Sequence, residues 1–418
     1  ESALDASVSG ANNTAIGKEA LTDLTSGAAN VCIGTSSGID ITTGSNNTAV
    51  GVSSLFTQTT ASNNTAFGRS TLKFNTSGDE NVAIGGYSLD ANTTASNNTA
   101  VGYNSLGATT TGSENTGVGS SALVNNTTGN NCTAIGRSVG ADSLKNNTTA
   151  SNNTAVGKDA LFYNTTGGFN VAVGNNALDA NTTGNYNSAV GYASLSANTT
   201  GSTNTALGLT ALESNTTAGD NTGIGYAALN ANTTGANNVA VGASALDVNT
   251  TASNNTAVGK NALGANVTGT RNTGLGSNSL KASTANDNTG CGATALFTNT
   301  SGTKNTAVGS QAMYYNETGD NNTGLGYDAL QDNTTGSDNT AVGALALDQN
   351  TTASNNTAVG KAALGDNTTG TFNTAVGSLA LDANTTASNN NSFGYGSLTN
   401  NTTGGNNCAF GRDALNEN

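Results

Sequence analysis

A five-residue motif, Asn-Thr-Ala-Val-Gly, returns every 17 residues along almost the whole chain. Its closing glycine falls at Gly17, Gly34 and Gly51, and the same interval continues to Gly411 with two changes of length, which we call slips. The slips are a four-residue insertion near 137–147 and a one-residue deletion near 281–290. A period this short is typical of one coil of a solenoid, since it is too short for a separate domain. The sequence therefore predicts a single continuous array over residues 1–418, with about 24 stacked coils.

The consensus coil reads Asn-Thr-Ala-Val-Gly-x-x-Ala-Leu-x-x-Asn-Thr-Thr-Gly-x-Asn, and we number its positions 1 to 17 from the first asparagine. Position 4 is always apolar, and position 2 is usually threonine but becomes valine in some coils, as at Val31 and Val82. Since side chains alternate along a strand, positions 2 and 4 share a face, and their tolerance for valine predicts that this face is the core. A helical period is absent, and Gly, Asn and Thr are poor helix formers. We therefore predict an all-β fold, a parallel β-roll.

Position 3 is almost always alanine or glycine, although it should point away from that core. One interpretation is compositional drift during duplication of the repeat. The other is close packing against a second chain, which we favour because two large apolar side chains per coil cannot offset the ordering of 17 residues. The resulting interface candidates are Ala49, Gly117, Ala155, Gly223, Gly274 and Gly324.

Positions 12 to 15, Asn-Thr-Thr-Gly, predict a turn in which the asparagine binds local backbone groups. Alanine replaces the glycine at Ala95, Ala252 and Ala353, so a left-handed conformation is not required there. Stacked turns should form Asn and Thr ladders along one edge. Asn-x-Thr tripeptides occur up to twice per coil, as in Asn12-Asn13-Thr14 and Asn92-Thr93-Thr94, and they either suit the turn or are sites of N-glycosylation. The glycosylation candidates are Asn12, Asn92, Asn181, Asn232 and Asn384.

Composition excludes several classes of function. Histidine is absent, acidic residues form no pair, and neither a phosphate-binding loop nor a calcium-roll signature is present, so we expect no catalysis, no cofactor and no metal. The net charge is −14 and the 12 basic residues are scattered, which argues against nucleic-acid binding. No apolar run is long enough to span a bilayer. The four cysteines lie in distant coils and cannot pair within one chain, namely Cys32, Cys132, Cys291 and Cys408.

Position 6, directly after the repeat glycine, is often basic or tyrosine, and we predict that these side chains are exposed. We interpret it as a solvated face, with contact to a neighbouring chain or a surface glycan as the alternative. Its basic residues are Lys18, Arg69, Arg137, Lys158, Lys260, Lys361 and Arg412. Its tyrosines are Tyr103, Tyr192, Tyr226, Tyr327 and Tyr395.

The motif Asn-Thr-Ala-Val-Gly-x-x-Ala-Leu, with its Asn-Thr-Thr-Gly turn, resembles the repeats of bacterial and phage tail-fibre-domain proteins. Residues 81–85, Asn-Val-Ala-Ile-Gly, are similar to the head repeat of trimeric autotransporter adhesins. The resemblance covers essentially the whole chain. It implies a homotrimer of parallel β-rolls, with small residues where the chains meet, in an extracellular, cell-surface or virion-surface fibre. The membrane barrel and the self-cleaving chaperone domain of such proteins are not found in this sequence.

These observations predict a non-enzymatic fibre shaft with an adhesive or spacer role, whose main partner is its own chain. Two alternatives remain open. The first is a self-assembling extracellular filament, because the sequence begins and ends within a coil; a segment cut from a longer array is the other interpretation of those ends. The second is an ice- or polysaccharide-binding solenoid that uses a ladder of Asn12-type and Thr14-type side chains.

Overall fold

The computed structural model describes residues 2–6, 8–136 and 143–417. Within them lie 24 three-residue strands and no helix. The chain divides into two compact units, Glu1–Leu207 and Gly208–Asn418, and each is considered by itself. The single array over 1–418 therefore stays a prediction. Most of the predicted insertion near 137–147, including Arg137, lies outside the described residues.

Every strand occupies positions 2 to 4 of its coil. The strands of the first unit are β1 Thr14–Ile16, β2 Val31–Ile33, β3 Thr48–Val50, β4 Thr65–Phe67, β5 Val82–Ile84, β6 Thr99–Val101, β7 Thr116–Val118, β8 Thr133–Ile135, β9 Thr154–Val156, β10 Val171–Val173, β11 Ser188–Val190 and β12 Thr205–Leu207. Those of the second unit are β13 Thr222–Ile224, β14 Val239–Val241, β15 Thr256–Val258, β16 Thr273–Leu275, β17 Thr289–Cys291, β18 Thr306–Val308, β19 Thr323–Leu325, β20 Thr340–Val342, β21 Thr357–Val359, β22 Thr374–Val376, β23 Asn391–Phe393 and β24 Cys408–Phe410.

Neighbouring strands are parallel and in register, so equivalent positions of successive coils stack. Thr48 pairs with Thr65 in the first unit, and Val239 pairs with Thr256 in the second. The one-residue deletion leaves this register intact, since Thr273 still pairs with Thr289. The β-solenoid with a 17-residue repeat is thus confirmed, and the missing residue comes out of the turn.

The interior of the coil holds position 3 together with the position-8 and position-9 side chains. Ala155, Leu161 and Leu178 are completely buried within the single chain. Around the smallest position-3 residues, a Cβ added to Gly117 would lie 2.6 Å from Ser105 Oγ, and one added to Gly223 would lie 3.2 Å from Leu212 Cγ. Position 3 is therefore restricted to small residues because the side chains of the preceding coil pack directly over it.

The predicted assignment of faces is consequently wrong. The six interface candidates are all buried in the chain's own core and cannot meet a second chain, namely Ala49, Gly117, Ala155, Gly223, Gly274 and Gly324. Positions 2 and 4, predicted as the core, point outward instead. The physical reason is the narrowness of the coil, since a 17-residue loop encloses one leucine per coil and leaves no room for a valine beside it.

Each coil closes through residues in the left-handed region, which the sequence did not reveal. Positions 7, 9 and 17 adopt positive φ, as at Ala227 (52°), Leu229 (53°) and Asn237 (59°). A left-handed leucine costs about 1–2 kcal/mol, but burying its side chain contributes roughly 1.5–3 kcal/mol. The position-15 glycines have ordinary backbone angles, so the prediction that this position needs no left-handed residue is confirmed.

Two ladders of buried asparagines run through the core. At position 1, Asn47 receives a hydrogen bond on its Oδ1 from the Asn64 backbone N–H at 3.0 Å, and its Nδ2 donates to the Ala61 carbonyl at 3.0 Å. At position 12, Asn181 Nδ2 donates to Asn164 Oδ1 at 2.8 Å and to the Gly184 carbonyl at 3.0 Å. Threonines add an outer ladder, in which Thr165 Oγ1 donates to the Thr182 carbonyl at 3.0 Å. The predicted ladders exist, but the asparagines lie inside the coil rather than along its edge.

The position-12 ladder is interrupted at Thr109, and the interruption leaves polar atoms without partners. Asn92 Oδ1 and Thr109 Oγ1 are both buried and make no hydrogen bond with other described residues. We expect Thr109→Asn to restore the missing rung and to stabilise the first unit by about 1–2 kcal/mol, because satisfying a buried polar group removes a desolvation penalty of about that size. Urea denaturation would measure this as a higher midpoint.

The reverse exchange provides the control. Asn181→Thr breaks a complete rung and should lower stability by about 1–3 kcal/mol. If both variants shifted the midpoint in the same direction, the ladder would not be the source of the effect.

Candidate binding surface

The outward face of each strand ladder carries two parallel columns of side chains. Position 2 supplies mostly threonine, and position 4 supplies valine, isoleucine, leucine, phenylalanine or, at Cys291, cysteine. We call the position-4 column the apolar stripe. Several of its members are exposed, with 55% for Phe67 in the first unit and 45% for Leu275 in the second, whereas others, such as Ile33 and Phe393, are half-buried. Neither column contains a charged residue. Each unit thus presents a continuous uncharged strip with a regular apolar edge.

A shallow furrow borders the apolar stripe where the position-5 glycines have no side chains. Val101, Tyr103 and Val118 line one stretch of it, which has a volume of about 440 Å³. On its far side stand the position-6 side chains. Tyr103, Tyr192, Tyr226, Tyr327 and Tyr395 are all exposed, as predicted. The Phe393 and Phe410 rings stack on one another 4.5 Å apart, so neighbouring rungs of the stripe already pack together within one chain.

The glycosylation candidates fall into two different environments. The position-12 residues among them are completely buried, and their amide nitrogens donate both to the asparagine of the preceding coil and to a carbonyl three residues later, namely Asn92, Asn181, Asn232 and Asn384. Their prediction as acceptor sites in the folded protein is therefore wrong. Asn12, at position 17, is exposed. The tripeptide pattern alone could not separate the two sets, because both read Asn-x-Thr.

The cysteines behave as the sequence predicts, since all four are free. Cys32 and Cys132 are buried, and burial raises the pKa of the Cys32 thiol to about 12. Cys291 and Cys408 instead occupy positions 4 and 2 on the outward face. Among the described residues, no group of three acidic or cysteine side chains could hold a metal ion. The same part of the chain has no helix with the length and apolarity to cross a membrane.

Carboxylates at positions 10 and 11 of neighbouring coils form a partly buried acidic column in the second unit, so the prediction that acidic residues form no pair is wrong. Burial, followed by the charges of Asp332 and Asp366, raises the pKa of Asp348 from 3.8 to about 6. The pKa of Asp382 is raised as well, by burial and by Asp366. Because the folded pKa lies above the unfolded one, the protonated folded state is favoured, and this stabilisation is lost as pH rises through about 6.

Asp348→Asn should therefore stabilise the second unit at pH 7 and reduce its pH dependence between about 4 and 6. The gain should be below about 1 kcal/mol, since solvent screens a half-exposed group. Urea midpoints across that pH range would test it, with the wild type and the variant converging at pH 4 and below. A variant less stable than the wild type at pH 7 would contradict this interpretation.

Comparison with known proteins provides no identification, because no family model matches the chain and no curated protein matches it.

Proposed function

We propose that the chain is a non-enzymatic structural segment of an extracellular, cell-surface or virion-surface fibre, with an adhesive or spacer role. In this proposal parallel copies associate side by side as a homotrimer. The observation that carries it is the apolar stripe. Soluble monomers rarely expose a contiguous apolar strip that is repeated on every strand, and such strips usually mark interaction surfaces.

A second copy of the same chain is the partner that fits this surface best. Rungs of the stripe recur at the strand spacing of about 4.8 Å, so a partner must present apolar groups at the same interval. A parallel copy does so on every coil. The absence of charge at positions 2 and 4 removes the repulsion that identical surfaces would otherwise suffer. Three copies around one axis would let each stripe contact the other two.

Mass measurement on purified protein tests the association. Light scattering should give about three times the monomer mass of 40.8 kDa. The double variant Leu275→Glu/Leu325→Glu places charges on two rungs of the stripe and should dissociate the oligomer or shift it strongly toward monomer. The matched control Thr268→Glu/Thr318→Glu adds the same charge at the exposed position 14 and should leave the mass unchanged. A stable wild-type monomer would refute the association.

The native Cys291 reports how the copies are arranged. Because it occupies position 4, a parallel and in-register assembly would bring the Cys291 side chains of different copies together. In a Cys408→Ser background, which removes the exposed Cys408 thiol, mild oxidation should then yield a covalent dimer that Cys291→Ser reduces, since Cys32 and Cys132 are buried and cannot contribute. If Cys291→Ser left the yield of covalent dimer unchanged in a protein that is an oligomer, the copies would be staggered or antiparallel.

A second candidate function is binding to ice or to a crystalline polysaccharide. The observation that favours it is the column of position-2 threonines beside the aliphatic stripe, which places hydroxyl and methyl groups on one face at a regular interval. On this face the Thr14-type side chains lie beside the position-4 side chains, whereas the sequence predicted that they lie beside the Asn12-type residues. Thermal hysteresis and pulldown on chitin and cellulose would test it, and a negative result in all three would eliminate it.

A further inference from the structure

Asn-x-Thr and Asn-x-Ser tripeptides, the latter at Asn75, Asn299 and Asn390, occupy mainly two rows of the coil, and the structure gives these rows opposite environments. The position-12 row comprises Asn75, Asn92, Asn126, Asn147, Asn164, Asn181, Asn198, Asn215, Asn232, Asn249, Asn266, Asn299, Asn316, Asn333, Asn350, Asn367, Asn384 and Asn401. The position-17 row comprises Asn12, Asn46, Asn63, Asn97, Asn131, Asn152, Asn254, Asn321 and Asn355. Four further tripeptides, at Asn125, Asn146, Asn390 and Asn400, lie outside both rows.

The position-12 amides are occupied by the fold. Asn232 Nδ2 donates to Asn215 Oδ1 at 2.9 Å and to the Gly235 carbonyl at 2.9 Å, so both of its N–H groups are in use. Its side chain is completely buried. A sugar on this nitrogen would remove one hydrogen bond and would require space that the closely packed coil does not have.

The position-17 amides are in the opposite situation. Asn46, Asn63 and Asn254 are exposed, and their side chains make no hydrogen bond with other described residues. Each has a left-handed backbone, with φ of 59°, 61° and 63° respectively. The threonine two residues later stands at position 2, on the outward face of the strand. Both groups that define the tripeptide are thus directed toward solvent.

We propose that the position-17 asparagines form an acceptor row for N-linked sugar, and that the chain must fold with its position-12 asparagines unmodified. In the reaction the amide nitrogen bonds to the anomeric carbon of a sugar whose leaving group is a phosphate ester. The bond from that carbon to the phosphate oxygen breaks, the phosphate ester departs with the electron pair, and the amide loses one proton. A modifying enzyme must then act after folding, because earlier sugar at position 12 would prevent the coil from closing.

Mapping of modified sites on folded and nascent protein tests this proposal. In the first arm, protein folded without modification is incubated with a transferase that recognises Asn-x-Thr and with a sugar nucleotide, and sites are read by peptide mass spectrometry. We expect sugar in the position-17 row and none in the position-12 row. In the second arm, the transferase is present during cell-free synthesis. We expect both rows to be modified, and the product to lose protease resistance and the circular dichroism of the folded chain.

A matched variant separates modification from sequence. Replacing the exposed position-14 residue of each position-12 tripeptide by alanine, as in Thr183→Ala, abolishes the tripeptide and leaves the buried asparagine in place. Its folding is first established by synthesis without transferase. It should then fold even when the transferase is present, with sugar in the position-17 row. Sugar at position 12 in folded protein, a position-12-modified chain that folds, or a position-17 row unmodified in the folded protein would each overturn the proposal.

Discussion

Ala155→Glu should unfold the coils around β9, with a loss of at least about 3–5 kcal/mol, because it introduces an unpaired charge into a closed core. Ala155 is completely buried, and Ser143 Oγ donates to its carbonyl at 3.0 Å from the preceding coil. A glutamate side chain has no route to solvent from this position, since the in-register strands on both sides block it. Urea denaturation, together with limited proteolysis of the first unit, would measure the loss.

The neighbouring residue supplies the control for this experiment. Val156 lies one residue further along the same strand and faces outward, so Val156→Glu should change the free energy of unfolding of the single chain by no more than about 0.5 kcal/mol. The same variant places a charge on the apolar stripe and should weaken association. A pattern in which Val156→Glu unfolds the coil and Ala155→Glu only dissociates the copies would restore the assignment of faces that the sequence favours.

The reversal of faces shows what the repeat can and cannot reveal. Period-two alternation correctly places Thr154 and Val156 on one side of the strand and Ala155 on the other. It does not say which side is enclosed, and the usual guide, the larger apolar residue inside, fails here. The space inside the coil is already filled by Leu161 and its equivalents, so a strand residue beside them can be no larger than alanine, serine or cysteine. Deciding which face is enclosed requires the width of the coil, and the repeat pattern does not give that width.

The Asn-x-Thr rows show a second limit of the same kind. Asn92 and Asn12 belong to identical tripeptide patterns, and only the path of the backbone separates a buried ladder from an exposed edge. One usable signal existed, since position 12 is aliphatic at Leu24 and Ile41 in the first two coils. A position that accepts leucine and isoleucine in place of asparagine is more easily explained as interior than as a glycan acceptor. No substitution in the sequence indicates that the apolar stripe is exposed, because valine in a strand is normally interpreted as a buried residue.

The position-5 glycine should be the least replaceable residue of the coil, and we expect Gly259→Ala to cost more than about 3 kcal/mol. Gly259 has φ of 132°, a backbone region that side-chain-bearing residues rarely enter. An added Cβ would also lie 2.5 Å from the Gly276 carbonyl oxygen of the next coil. Both obstacles concern backbone atoms, so rotation of a side chain cannot relieve them. The Gly259 N–H donates to the Val241 carbonyl at 2.8 Å, and movement of this strand end would break that rung.

Gly235→Ala is the matched control, because position 15 is also glycine in most coils but has ordinary backbone angles. An added Cβ at Gly235 approaches the Ala252 carbonyl oxygen within 2.2 Å, yet Ala252 itself occupies the same position one coil later and is accommodated in the core. The coil can therefore adjust at position 15, and we expect a loss of less than about 1 kcal/mol. Urea midpoints of the second unit would separate the two variants. Equal losses of stability would mean that the close approach to the next coil, and not the backbone angle, prevents a side chain at position 5. A larger loss for Gly259→Ala would mean that the repeat glycine is required for its backbone conformation.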